Sequence, residues 1–169
     1  MKKLLTLVII SKKGRILLGM KKRGFGEGLW NGFGGKVDAG ETVEEAAKRE
    51  LEEEAGLTTG ELSLAGILNF TFASEPKELE VYVFKANLGT GEPIETEEMR
   101  AAWFSHEEIP FADMWADDVY WLPLLLSDSL FKGRFHFDAP STLEHRAEIL
   151  SYELTEVDNL DESIARVQA

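Results

Sequence analysis

The alternation of apolar and polar positions reads as strands with two helices. Residues 4–10 are a short apolar run dense in branched side chains, closed off by Lys12 and Lys13, and predict a first strand. Lys13-Gly14 supplies a turn before residues 15–20 return, so the pair predicts a hairpin. Residues 62–72 and 79–86 are strand-like with Ser74-Glu75-Pro76-Lys77 as the turn between them, and 99–104 offers another short strand. Asp117 opens a helix through Leu126 that Pro123 should kink or shorten, and residues 133–137 and 149–154 are expected as edge strands. Residues 24–35 interrupt the pattern with six glycines in twelve positions, which excludes a regular helix and lets backbone approach a ligand closely. The prediction is one domain over 1–157 and a polar, fraying tail over 158–169.

The sharpest local signal is the helix after Thr42. Thr42 and Glu45 form a capping box, and Gly56 is placed to end the helix in a left-handed conformation. At ~100° per residue, Ala47, Glu50 and Glu54 fall within ~40° of Val43, and Glu53 lies ~80° from it. Glu50 and Glu54 therefore share the inward face, while Glu44, Glu45, Lys48 and Glu52 take the solvent side. Carboxylates at i, i+3 and i+4 on or beside a core-facing stripe repel one another unless a cation neutralises them, which is the pattern of a hard-metal site. The competing account is a solvated acidic face with Arg49 and Lys48 as partners. The phase against Val43 and Ala47, and the glycine-rich stretch leading into the helix, favour the metal.

Composition narrows the chemistry further. The 169 residues contain no cysteine, which excludes a disulfide scaffold, a thiolate zinc site and a cysteine nucleophile. His106, His136 and His145 make no H-x-x-x-H pair, so any metal sits chiefly on carboxylates. The net charge of −13 argues against stable nucleic-acid binding. It is unevenly placed: residues 1–36 carry +8, so 37–169 carry −21. A basic side could hold a small polyanion while an acidic cluster binds a divalent cation, against the simpler account that the acids are solubilising surface. No cleavage site follows the first apolar run and no stretch approaches the ~20 apolar residues of a membrane span, so a soluble, intracellular protein is expected, without membrane partners.

Gly35, five residues, Glu41, seven residues, then Arg49-Glu50-Leu51-x-Glu53-Glu54-x-Gly56-Leu57 fits every fixed position of the Nudix box. The chain thus resembles the Nudix hydrolases, which implies an α/β fold, an α/β/α sandwich with a mixed sheet, and Mg²⁺-dependent cleavage of a nucleoside diphosphate linked to another group, with Mn²⁺ as a substitute ion. Segments 17–26, 30–37, 98–100, 103–104, 109–111, 114–118 and 120–121 are similar to the branch of that family that hydrolyses oxidised purine nucleoside triphosphates, such as 8-oxo-dGTP and 2-oxo-dATP, to the monophosphate and pyrophosphate. The resemblance spans roughly 4–137; segment 138–150 is longer than its equivalent, and the tail after Val157 has none.

What the resemblance implies for the site is specific. Glu50, Glu53 and Glu54 would bind Mg²⁺, with the Gly34 backbone oxygen and Glu98 completing the site, and Arg49 would orient a box glutamate. Glu53, Glu54 and Glu98 stay open as the base that takes the proton of the attacking water. Asn31, Asp117 and Asp118 would hydrogen-bond the purine edge; Phe25, Phe33, Phe70, Phe72, Trp115 and Trp121 would wall the base, and Thr6 and Lys21 would lie near sugar and phosphates. Leu79 stands where that branch carries a methionine in the base pocket. For the aromatics the alternative is core packing, for Asp117 a helix cap, and for Asp118 exposure to water. The implied partner is a small nucleotide bound by a monomer in the cytoplasm, with nucleus and mitochondrion as further sites. Other nucleotides (a dinucleoside polyphosphate, ADP-ribose or an RNA cap) and a catalytically silent binding module are the alternatives.

Overall fold

The structure, a computed structural model, describes residues 2–88 and 91–160. Its strands are β1 (Lys2–Lys12), β2 (Arg15–Lys21), β3 (Trp30–Asn31), β4 (Ser63–Phe72), β5 (Glu75–Asn87), β6 (Met99–Ser105), β7 (Leu130–Phe137) and β8 (Ile149–Val157), with helices α1 (Val43–Ala55) and α2 (Asp118–Leu126). They form one sheet in the order β3-β2-β1-β5-β4-β7-β8, with β6 on the other edge of β2. The β1–β5 and β4–β7 pairs are parallel and the remainder antiparallel, so the sheet is mixed.

Side-chain alternation builds a core on each face. Val8, Ile10 and Leu17 point one way and pack under Val43, Ala47, Leu51 and Ala55 of α1. Ile9, Ile16 and Leu18 point the other way, into a cluster with Trp121, Leu122 and Leu125 of α2. This is the α/β/α sandwich expected. The capping box of Thr42 and Glu45 is formed, and Gly56 ends α1 at φ 66°.

Three local expectations are corrected. The β4–β5 turn is Ala73-Ser74, with Phe72 paired to Glu75, so Glu75, Pro76 and Lys77 belong to β5. Pro76 is tolerated because β1 joins β5 only from Glu78 onward, and no ladder bond to β1 is lost there. Residues 133–137 are not an edge: β7 lies between β4 and β8, and only β8 ends the sheet on that side. Pro123 does not shorten α2, which runs to Leu126. Of the expected tail, Leu160 is buried against the α1-side core, and residues 161–169 lie outside the described residues. Among the described residues no helix is long and apolar enough to cross a membrane.

The feature that creates a site is the early parting of β1 and β2. Their ladder has only three pairs, Ile10 with Leu17 through Lys12 with Arg15. Beyond it the glycine-rich segment wedges between them: Asn31 and Trp30 pair with Gly19 and Met20 of β2, while Phe33 and Lys36 bridge Val8 and Leu5 of β1. The approach is so close that a Cβ on Gly34 would fall inside the Thr6 carbonyl. Gly34→Ala should therefore lower the unfolding free energy by about 3 kcal/mol or more in urea titrations. Gly60→Ala, which meets nothing within 4 Å, should leave it within about 1 kcal/mol.

Candidate active site

Where β1 and β2 part, a cleft opens that draws on both faces of the sheet. Leu5, Leu7, Leu68, Phe70, Leu79, Val81, Trp115 and Trp121 give it an apolar wall from the α2 side. Thr6, Lys21, Asn31, Gly34, Gly35 and Glu54 give it a polar one, and Asp117 and Asp118 complete the lining. Phe25, 45% exposed, stacks on Trp115 at 5.2 Å, and Lys77 lies over the Phe25 ring at 4.4 Å.

Two expected wall residues are elsewhere. Phe33 is fully buried in the α1-side core, where it fills the space left by Gly19. Phe72 is buried one ring behind the cleft, stacked on Phe137 at 5.8 Å. Conversely, Leu5, Leu7, Leu68, Val81 and Met99 line the cleft without a sequence signal for it. Their strand alternation signals a buried face, but nothing in the pattern says that the face is left open.

The two aspartates sit at the foot of α2, both almost fully buried. Asp117 occupies the N-cap position without capping: its side chain makes no bond to the helix backbone and instead Oδ2 accepts from Trp121 Nε1 at 2.7 Å. Asp118 does not face water. Burial pushes both carboxyls above the usual aspartate range, and the charge of Asp117 pushes Asp118 further. Asp117 Oδ1 and Asp118 Oδ2 are buried with no donor from any third group, although the two carboxyls hydrogen-bond each other. Orphaned buried oxygens are costly, and a ligand donor in the cleft would satisfy them.

On α1 the helix phase distributes the glutamates as predicted. Glu54 is buried, Glu50 half-buried and Glu53 exposed. Glu54 Oε1 accepts from Gly34 N at 2.8 Å, which ties the Gly34 backbone to the site. Lys21 Nζ stands 3.5 Å from both Glu54 Oε2 and Glu98 Oε2, and Arg23 clamps Glu98 through Nη2 at 2.7 Å and Nε at 3.1 Å. Arg49 is the second hub: it binds both oxygens of Glu41 at 2.7 and 3.0 Å, Glu50 at 2.8 Å and the Lys36 carbonyl at 3.0 Å, and lies 3.4 Å from Glu53. A Cβ on Gly35 would sit 2.7 Å from the Glu50 carboxyl carbon, so glycine is what lets that carboxylate lie against the loop. The clamp by Arg23 spans 75 residues and has no local sequence signal.

These carboxylates are interleaved with cations, and among the described residues no three acidic or histidine side chains are gathered as an ion would hold them. The donor set nonetheless fits a hard divalent ion. Burial outweighs Lys21 and the Gly34 N–H and pushes the Glu54 carboxyl up to about 7, so its negative charge is under-compensated. Glu50 is also raised by burial despite Arg49. Glu98, by contrast, is held below the usual carboxylate range by its bond from Arg23.

The description "NUDIX domain" matches residues 4–125. The chain is 52% identical over 157 residues to the oxidized purine nucleoside triphosphate hydrolase of Mus musculus, covering 93% of this chain and 97% of the relative. It is 50% identical over 158 residues to the protein of the same name in Danio rerio, covering 94% and 97%. Among solved structures, the MutT protein of Bacillus halodurans superposes with a TM-score of 0.76 at 32% identity, over 90% of this chain and 97% of that one.

The raised Glu54 carboxyl has a measurable sign. Above the ordinary carboxylate pKa of 4.5 the unfolded chain releases this proton, while the folded one keeps it until about 7, so wild-type stability falls as pH rises through that window. In metal-free protein, the stability of Glu54→Gln relative to wild type should therefore increase by about 3 kcal/mol between about pH 5 and pH 8, read by urea unfolding. Glu52→Gln, exposed on the same helix, should show no such trend.

Proposed function

Since the chain belongs to the Nudix hydrolase family, we propose that its cleft takes oxidised purine nucleoside triphosphates and that water splits them into the monophosphate and pyrophosphate. The observation that carries the base assignment is the Asp117–Asp118 pair, two buried carboxyls with orphaned oxygens among aromatic walls. One proton shared by such a pair presents a donor and an acceptor to the purine edge, which a fixed hydrogen-bond pattern could not vary. Trp115 supplies a flat apolar wall and Asn31 a further polar group. Lys21, between Glu54 and Glu98, faces the phosphate end.

Nudix hydrolases generally need a divalent metal. Here Glu50, Glu53 and Glu54 would hold Mg²⁺, or Mn²⁺ in its place, and Glu98 borders the set. The bound ion supplies charge neutralisation at the phosphate oxygens and lowers the pKa of water. The chain's own residues do the remainder. Arg49 holds Glu50 and Glu53 on one side, fixing their separation from Glu41. Whichever of Glu53, Glu54 and Glu98 lies outside the ligand set would accept the proton of the attacking water; Glu98 is held in place for it by Arg23 and Lys21.

Incubation with 8-oxo-dGTP and Mg²⁺ should release pyrophosphate and 8-oxo-dGMP, and a chelator should stop it. Faster turnover of ADP-ribose or a dinucleoside polyphosphate would replace the substrate assignment, and no turnover of any nucleotide would make the cleft a binding module. Asp117→Asn and Asp118→Asn should each shift the ratio of catalytic efficiencies on 8-oxo-dGTP and 2-oxo-dATP by about one to two orders of magnitude while keeping the Mg²⁺ requirement. Because Asp117 does not cap α2, its asparagine variant should not be silent.

A further inference from the structure

The carboxylates of the site come from distant parts of the chain, and one hydroxyl touches the backbone of both. Thr96 Oγ1 donates to the Glu54 carbonyl at 2.9 Å and accepts from the N–H of Glu98 and of Met99, each at 3.2 Å. Two residues earlier, Ile94 N–H donates to the Ala55 carbonyl at 2.9 Å. Those two carbonyls belong to the last turn of α1, where C=O groups have no partner inside the helix. Residues 94–96 thus dock onto the orphaned end of the helix that carries Glu54.

The same hydroxyl then sets the next step of the chain. Thr96 N–H donates to Met99 O at 3.0 Å, closing a turn with Glu97 and Glu98 at its tip, and Oγ1 ties the two amides of that turn back to α1. At the far side, Glu98 is drawn by Arg23 and Lys21, and Met99 lines the cleft. Without the hydroxyl, Glu98 and Met99 would still be held to β2, through Lys22 N–H on the Glu98 carbonyl at 2.8 Å and the Met99–Lys21 pair, and the cations would still attract Glu98, but this turn would lose its direct hydrogen bond to the end of α1.

We propose that Thr96 is a positioning residue for the hydrolysis: its hydroxyl fixes Glu98 and Met99 relative to Glu54. The inference rests on the hydrolase reading above. It requires an oxygen with one proton to give and lone pairs to receive, so serine can stand in and valine cannot. Groups that hold the base, Asp117 and Asp118, lie on a different element and keep their contacts.

The test uses the whole chain as Thr96→Ser and Thr96→Val. The serine variant should stay within about twofold of wild type in kcat and KM. The valine variant should lose about ten- to a hundredfold in kcat while KM moves less than about threefold, since displacement of a reacting group costs turnover more than binding. Without metal or substrate, amide exchange at Glu98 and Met99, followed by NMR, should accelerate in the valine variant alone, with Trp121 unchanged. Wild-type kcat in the valine variant, or an equal loss in the serine variant, would overturn the proposal. If valine prevents folding, Thr96→Ala carries the same comparison. A wild-type chain inert on 8-oxo-dGTP would sink the hydrolase reading instead, and unchanged exchange at Glu98 and Met99 would then overturn the positioning role by itself.

Discussion

Everything at this site depends on burying one carboxylate. Glu54 sits under the sheet with a single main-chain donor, Gly34 N–H, and Lys21 at a distance that gives attraction without a tight bond. That contact requires the segment bearing Gly34 to run where a side chain could not, against the Thr6 carbonyl, and it requires α1 to present position 54 inward. The capping box at Thr42 sets where the helix starts, and the left-handed Gly56 sets where it stops. An isolated ionised carboxylate in such a place is penalised by desolvation, which is why its proton is held so far up. The same penalty would favour taking up a dication: a group poorly compensated by the protein gains most from a cation supplied from outside.

The cleft then follows from the sheet. A continuous β1–β2 ladder would have sealed the two faces from one another. Because the ladder ends after Ile10 and Leu17, a ligand can reach apolar walls from the α2 core and acidic groups from α1 in one cavity. On the proposed reading this geometry would divide the labour, with base recognition on α2 and its preceding loop and phosphate chemistry on α1 and the turn before β6. Each is anchored to its own core, so changes at one end need not disturb the other.

Much of this was legible in the chain and some was not, for physical reasons. The α1 cap, the inward phase of Glu50 and Glu54 and the glycine-rich segment are local, and periodicity reports local structure. The fate of Phe33 and Phe72 was not, because an aromatic residue beside a cleft and one beneath it have the same hydrophobic pattern. Residues 133–137 were expected at an edge, yet β7 is paired on both flanks while its Lys132 and Arg134 side chains are exposed, so side-chain polarity does not report backbone pairing. Asp117 could equally have been a cap, but its side chain serves the buried indole N–H of Trp121, while the Asp118 N–H at the helix start is already satisfied by the Trp115 carbonyl. Thr96 carried no signal at all, its meaning lying in the helix end it meets 42 residues away.

Charge shows how a global count can mislead while pointing the right way. The +8 of residues 1–36 suggested an open basic face for a polyanion. In the fold, Lys21, Lys22 and Arg23 are already paired, with Glu54 and Glu98, with Glu95, and with Glu97 and Glu98. The acids of residues 95–98 are thus the counterions of the segment that ends β2. Lys21 is not a free phosphate trap in this state; it is the cation that bridges two carboxylates. A dication held by Glu54 would weaken that pairing while leaving Lys21 its contact with Glu98, so on the proposed reading metal and phosphate would meet at this one side chain.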